Sequence, residues 1–121
     1  MIAKRERAKV ERKLIASLTQ VCEMAKPTLP GFCWLTHRVD YRHFPESLEV
    51  TWVFDTHANL ARALKGDAQH RMHDFTAEAL AEAGIDTGDV SRHVNFDSEE
   101  ACQSAHGGDW QRRLRETPVR H

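Results

Sequence analysis

The sequence predicts an α+β fold of two layers, in which helices pack on a small three-stranded sheet in the order α-β-β-α-α-β-α. Three observations lead to this prediction: a long N-terminal stretch with helical periodicity, two short runs of alternating apolar and polar residues, and two further amphipathic stretches that end at glycines. The chain has 121 residues, the size of one domain, so residues 1–121 are expected to form a single domain.

Residues 3–26 are expected to form one long helix, because they include no glycine or proline and are rich in good helix formers. Pro27 and Pro30 end the helix. Its first turns lack an apolar stripe, so residues 1–13 are interpreted as a basic helical extension that either protrudes into solvent or touches a partner. The buried stripe of the helix consists of Val10, Leu14, Leu18, Val21, Cys22 and Ala25.

Two strands and a short connection follow the first helix. Residues 31–41 alternate along a first strand, which places Phe32 on the face opposite to Leu35. Residues 47–55 alternate more cleanly, and Pro45 lies in the polar connection, so we expect a hairpin. The second strand directs Leu48, Val50, Trp52 and Phe54 inward and Glu49, Thr51 and Asp55 outward, with Val53 as the exception.

Two helices are expected next. The first begins at a cap formed by Asp55 or Thr56 and closes at Gly66. The second begins at an Asp67 cap and closes at Gly84. The apolar stripes of the helices predict that the inward side chains of the second strand face Leu14, Leu18, Phe75 and Leu80.

The last part of the chain is expected to add a strand and a helix. Residues 90–96 have the composition of a short strand, and Asp97 or Ser98 can cap the helix that follows. Gly107 ends that helix, and residues 109–115 are expected to add one or two helical turns.

Composition excludes several classes of protein. No apolar run approaches the roughly 18 residues that a membrane-spanning helix needs, and the basic N-terminus lacks the apolar segment of a secretory signal. The three cysteines are widely spaced and form no C-x-x-C pair, which argues against a disulfide framework or a zinc ribbon. We therefore expect a cytoplasmic protein with no cofactor and no membrane partner.

Charge is distributed unevenly along the chain. Residues 1–26 carry seven basic and three acidic side chains, and residues 107–121 carry four and two. The middle, residues 27–106, carries six basic and thirteen acidic side chains, so an acidic body lies between two basic ends. Residues 109–121 are interpreted as a short basic C-terminal tail.

No set of residues forms a recognisable catalytic or metal-binding pattern. The sequence contains no P-loop, no dinucleotide-binding glycine motif and no nucleophile elbow. His70 and His73 share one helix face, as do Cys102 and His106, but neither pair has a further ligand or a third catalytic partner. We therefore predict no enzymatic activity and no bound metal.

The basic N-terminal helix is the strongest candidate for a binding site. Binding to phosphates requires Lys and Arg side chains on one face, and the helical spacing brings Arg5, Lys9 and Arg12 together. Three alternatives remain open: a solvated helix end held by pairs such as Glu11 with Arg7, a protein partner, or coiled-coil-like pairing of two copies. The candidate residues are Lys4, Arg5, Lys9, Arg12 and Lys13.

Two resemblances bear on function. The run GFCWLTHRVDYRHFPESLEVTWVFDT, with VNFDSEEAC and GGDW, resembles a group of small proteobacterial proteins of unassigned activity that are sometimes labelled Fis-like transcriptional regulators. That resemblance covers residues 14–114 and implies neither an activity nor a DNA-reading residue. In topology alone, the element order is similar to KH-like ribosome-binding domains, whose glycine bend between the middle helices contacts RNA. Here that bend reads LKGDAQ.

Together these observations predict a small non-enzymatic binding or regulatory module. An association with RNA or the ribosome through the basic N-terminal helix is the first hypothesis. A protein-interaction module or homodimer without nucleic-acid binding is the alternative.

Overall fold

In a computed structural model, which describes residues 4–116, the chain forms the predicted α+β fold. The described part contains five α-helices and one three-stranded sheet, and the final helix is the extra helical segment expected after Gly107. The helices are α1 (Lys4–Ala25), α2 (His57–Lys65), α3 (Asp67–Glu82), α4 (Glu99–His106) and α5 (Trp110–Glu116), and the strands are β1 (Phe32–Arg38), β2 (Glu49–Phe54) and β3 (Val94–Ser98).

The sheet is mixed and open, with the order β1-β2-β3. β1 and β2 form the predicted antiparallel hairpin, whereas β3 pairs with β2 in parallel after the chain has passed through α2 and α3. β2 is therefore the central strand, and each of its six residues is buried. β1 and β3 are the two edges of the sheet.

The main core lies between the sheet and the helices α1 and α3, as the alternation of β2 predicts. Trp52 is fully buried, and its indole N–H donates to the hydroxyl of Thr76 on α3 at 3.0 Å. Its ring also lies 6.3 Å from that of Phe75, the predicted neighbour. Buried residues of this core include Leu14, Leu18, Leu48, Val50, Phe54 and Leu80, so the predicted core is confirmed.

One predicted face of β1 is wrong. A β-bulge between Phe32 and Trp34 adds one residue to β1. Phe32 therefore pairs with Phe54 of β2 and points inward on the same face, not to the outer face. The ring of Phe32 is buried against Trp52, with 4.9 Å between the centroids. The extra residue of a bulge reverses the alternation on one side of it, and a strict two-residue pattern cannot show this.

The outer face of β2 is covered, which corrects the prediction that Glu49 and Thr51 point into solvent. They are only 4% and 6% exposed. The carboxylate of Glu49 accepts a hydrogen bond from the Asn95 side chain at 2.9 Å. Helix α5 packs over the same face, because Trp110 contacts Trp34 of β1. The polar side chains of Glu49 and Thr51 are therefore buried rather than exposed, and Glu49 has a hydrogen-bond partner.

Three predicted boundaries also shift. β1 ends at Arg38 rather than continuing to residue 41, and a 3₁₀ turn at Tyr41–His43 follows it. Residues 90–93 form another 3₁₀ turn, because the Asp89 side chain accepts from the Ser91 N–H, and β3 begins only at Val94. The N-cap of α3 is Gly66, so Asp67 is the first helical residue and not the cap.

Other helix ends follow the prediction. The hydroxyl of Thr56 accepts from the N–H of Asn59 and caps α2. The hydroxyl of Ser98 accepts from the N–H of Ala101 and caps α4. Gly107 ends α4 in the left-handed conformation, with a φ of 59°, where a side chain would be strained.

Candidate binding surface on the first helix

The five basic side chains predicted as a site all lie on the exposed part of α1. We call Lys4, Arg5, Lys9, Arg12 and Lys13 the basic face. The fully buried part of the stripe begins at Leu14, and Val10, one turn earlier, is partly buried against the core. Within residues 4–116, no acidic side chain forms an ion pair with any member of the basic face. The structure thus presents these five cations to solvent.

Glu11 pairs neither with the basic face nor with Arg7, although the sequence allowed an ion pair between Glu11 and Arg7. Its carboxylate accepts a hydrogen bond from the Tyr41 hydroxyl, and its Oε1 lies 2.5 Å from Nε2 of His37. The guanidinium of Arg7 lies over the Tyr41 ring instead, 5.9 Å from its centroid. These contacts attach the basic end of α1 to the end of β1 and to the turn after it.

The network around Glu11 has a defined charge state. Burial alone would raise the pKa of Glu11, but the hydrogen bonds from Tyr41 and His37 and the charge of His37 outweigh it and lower that pKa. The pKa of Tyr41 is raised, first by burial and then by the hydrogen bond to Glu11 and its negative charge. The contact therefore consists of a carboxylate and a protonated phenol at neutral pH.

A shallow groove of about 210 Å³ separates α1 from β1. Ile15 stands at its edge and is 50% exposed, although it is a large apolar residue. Arg12, Ile15, Thr19 and Glu23 recur at helical spacing, so the basic face continues directly into this groove. The groove is lined by Ile15, Leu18, Thr19, Cys22 and Glu23 of α1 and by Trp34, Leu35, Thr36 and His37 of β1.

A second polar cluster, which sequence reasoning missed, anchors α5 to the sheet. The carboxylate of Glu99 accepts from the indole N–H of Trp34 at 2.6 Å and from that of Trp110 at 3.1 Å. The guanidinium of Arg113 donates to both carboxylate oxygens of Asp97, at 2.7 Å and 2.9 Å. The predicted basic tail is thus packed as far as Glu116, and residues 117–121 lie outside the described part.

The predicted histidine and cysteine pairs are not brought together as sites. His70 is exposed, whereas His73 lies against the Phe96 ring at 6.3 Å. Cys102 is fully buried, and burial raises the pKa of its thiol, while His106 pairs with Glu116 at 2.8 Å. In the described part of the chain, no three His, Cys, Asp or Glu side chains are placed to hold a metal ion.

Comparison with known proteins adds no constraint on function: no family model, no curated protein and no solved structure matches this chain. Among the helices between residues 4 and 116, none is both long enough and apolar enough to cross a membrane. The surface of α1 itself is therefore the basis for a functional proposal.

Proposed function

We propose that this chain is a non-enzymatic binding module that holds nucleic acid, with RNA as the first candidate, through the basic face of α1. The observation that carries the proposal is the set of five exposed cations on one helix with no ion-pair partner among the described residues. Cations that are paired with acidic side chains of their own protein are less available to phosphates. Here they are all available.

The spacing of the cations suits a phosphate backbone. Arg5, Lys9 and Arg12 lie at helical spacing and span about 10 Å along the axis. One strand of a duplex places a phosphate roughly every 3.4 Å along its axis, so this row extends over about three phosphates. Contacts of this kind are electrostatic and independent of base sequence.

The distribution of charge supports an oriented contact. The acidic segment between residues 27 and 106 has seven more acidic than basic side chains, so it repels a polyanion. Only the basic ends attract one, and the basic face belongs to the N-terminal end. A nucleic acid is therefore expected to approach along α1 and not across α3.

A salt titration by fluorescence anisotropy tests the proposal, with labelled mixed-sequence RNA and duplex DNA as probes. Three to four phosphate contacts predict a slope of roughly −2 to −4 in a plot of log affinity against log salt concentration. The triple variant Lys9→Gln, Arg12→Gln, Lys13→Gln is expected to bind at least about tenfold more weakly at low salt and to flatten this slope.

A matched control variant has the same net charge as the triple variant but keeps the basic face intact. Arg62, Lys65 and Arg92 are exposed cations elsewhere on the surface, and their triple change to Gln removes the same number of charges. This control is expected to retain most of the affinity. Equal weakening by both triple variants would indicate a net-charge effect. The absence of binding by the unmodified chain at micromolar concentration and low salt would overturn the proposal.

A further inference from the structure

The free edge of β1 is an unusual feature of this fold. No hydrogen bond joins the backbone of residues 33–38 to any described segment other than β2. Alternate N–H and C=O groups along this edge therefore have no protein partner between residues 4 and 116. Proteins usually protect such an edge with lysine, proline or a covering element, because it pairs readily with another strand.

β1 has few of these protections. It contains no lysine and no proline. Its two side chains that can carry positive charge both have partners, since Arg38 donates to the carbonyl of Leu114 and His37 contacts Glu11. The bulge between Phe32 and Trp34 affects only the beginning of the strand. Beside the edge lies the groove, with Ile15 half exposed. An unpaired edge strand next to an exposed apolar side chain is typical of a surface that a second strand covers.

We propose that the edge of β1 pairs antiparallel with the same edge of a second copy of this chain, forming a two-fold symmetric dimer with a continuous six-stranded sheet. The proposal goes beyond nucleic-acid binding and does not rest on it. The two share Arg12, which the dimer would place beside Glu23 of the second copy, whereas Arg5 and Lys9 would stay available to phosphates. Two features support the dimer: the side chains that would meet across the two β1 strands, and the charges that would meet between the two α1 helices.

The strand sequence is compatible with itself in this arrangement. With the two-fold axis at Leu35, the two Leu35 side chains face each other on the side of the groove, and Trp34 lies opposite Thr36 of the second copy. Apolar pairs and aromatic pairs with a β-branched residue stabilise antiparallel strands. Arg38 falls opposite Phe32, so no like charges meet across the two strands.

The helices are complementary in charge. α1 runs antiparallel to β1, because Glu11 contacts His37 near the end of the strand, while the last turn of α1 is followed by a short connection, residues 26–31, to the start of β1. The two-fold axis therefore sets the two α1 helices antiparallel as well. The Arg12 end of one helix then lies beside the Glu23 end of the other, along the stripe that contains Ile15.

Sedimentation velocity over a concentration series, on protein freed of nucleic acid, measures the dimer. Ile15→Glu is expected to weaken dimerisation by at least about tenfold, because it places a charge in the apolar centre of the interface. Met24→Glu is the matched control. Met24 is 48% exposed on the same helix, and nine residues, about two and a half turns, place it on the opposite side from Ile15.

Charge reversal provides a second, sharper test. Arg12→Glu alone and Glu23→Arg alone are each expected to weaken the dimer, whereas the double variant restores it. These residues are about 16 Å apart along one helix, so no intramolecular pair can explain the rescue. A chain that stays monomeric at hundreds of micromolar, or a dimer that responds equally to Ile15→Glu and Met24→Glu, would overturn the proposal.

Discussion

Glu11 and His37, separated by 26 residues in the sequence, meet at 2.5 Å and join the first helix to the edge of the sheet. Tyr41 donates to the same carboxylate from the other side. This contact turns Glu11, the only acid between Arg7 and Arg12, toward β1 and away from the basic face.

The Glu11 contact predicts a specific dependence of stability on pH. A carboxyl with a lowered pKa in the folded state stabilises the fold when it is ionised, above its unfolded pKa of about 4.3. That contribution is lost as the pH falls through the lower, folded-state pKa. We expect Glu11→Gln to lower the free energy of unfolding by about 1 kcal/mol at pH 7, with a smaller difference from the wild type below about pH 4.

Urea unfolding at several pH values between about 3 and 7 measures this effect. Glu78→Gln is a suitable control, because Glu78 is exposed on α3 and forms no ion pair with another described residue. A difference between Glu11→Gln and the wild type that stays constant over the whole pH range would contradict the role of the ionised carboxylate.

Apolar periodicity in the sequence was enough to predict the helices, the strands and much of the core. The apolar stripe of α1 and the alternation of β2 identified Leu14 and Trp52 as core residues, because periodicity reports directly on which face is buried. The bulge that turns Phe32 inward and the partners of Glu11 depend on contacts between distant segments. Neither leaves a periodic signal in the sequence. The residues of the basic face could be named from the sequence, because residue type and helical spacing are enough to identify a row of charges, whereas a contact between distant segments is not.

The core prediction concerns Trp52. Because its side chain is fully buried and bonded to Thr76, Trp52→Ala is expected to lower the free energy of unfolding by roughly 3–5 kcal/mol. Trp52→Phe leaves a smaller cavity and removes only the indole donor, so its effect should be clearly smaller. Chemical denaturation followed by circular dichroism compares the two. A loss below about 1 kcal/mol for Trp52→Ala would contradict its place in the core.

The cluster that anchors α5 predicts local destabilisation. Glu99→Ala removes the acceptor shared by the indole groups of Trp34 and Trp110, at a cost of about 1–3 kcal/mol. The loss should appear mainly as faster hydrogen exchange of α5, because that helix depends on this cluster and on Arg113. Glu100→Ala is the control, since among the described residues the Glu100 carboxylate accepts from the N–H of His57 and not from α5. Equal exchange of α5 in both variants would contradict the anchoring role.

Two of the cysteines, Cys22 and Cys102, are expected to differ in reactivity. Cys102 is fully buried and burial raises the pKa of its thiol, so little reactive thiolate is present or accessible. Cys22 is half-buried and lines the groove beside α1. With iodoacetamide at pH 8, Cys102 should therefore react at least about 100-fold more slowly than Cys22, because it requires local unfolding of α4. Peptide mass spectrometry measures each rate, and labelling in urea should make the rates similar. Rapid labelling of Cys102 in the native protein would show that α4 opens readily and that the outer face of the sheet is less firmly covered than its contacts with α5 imply.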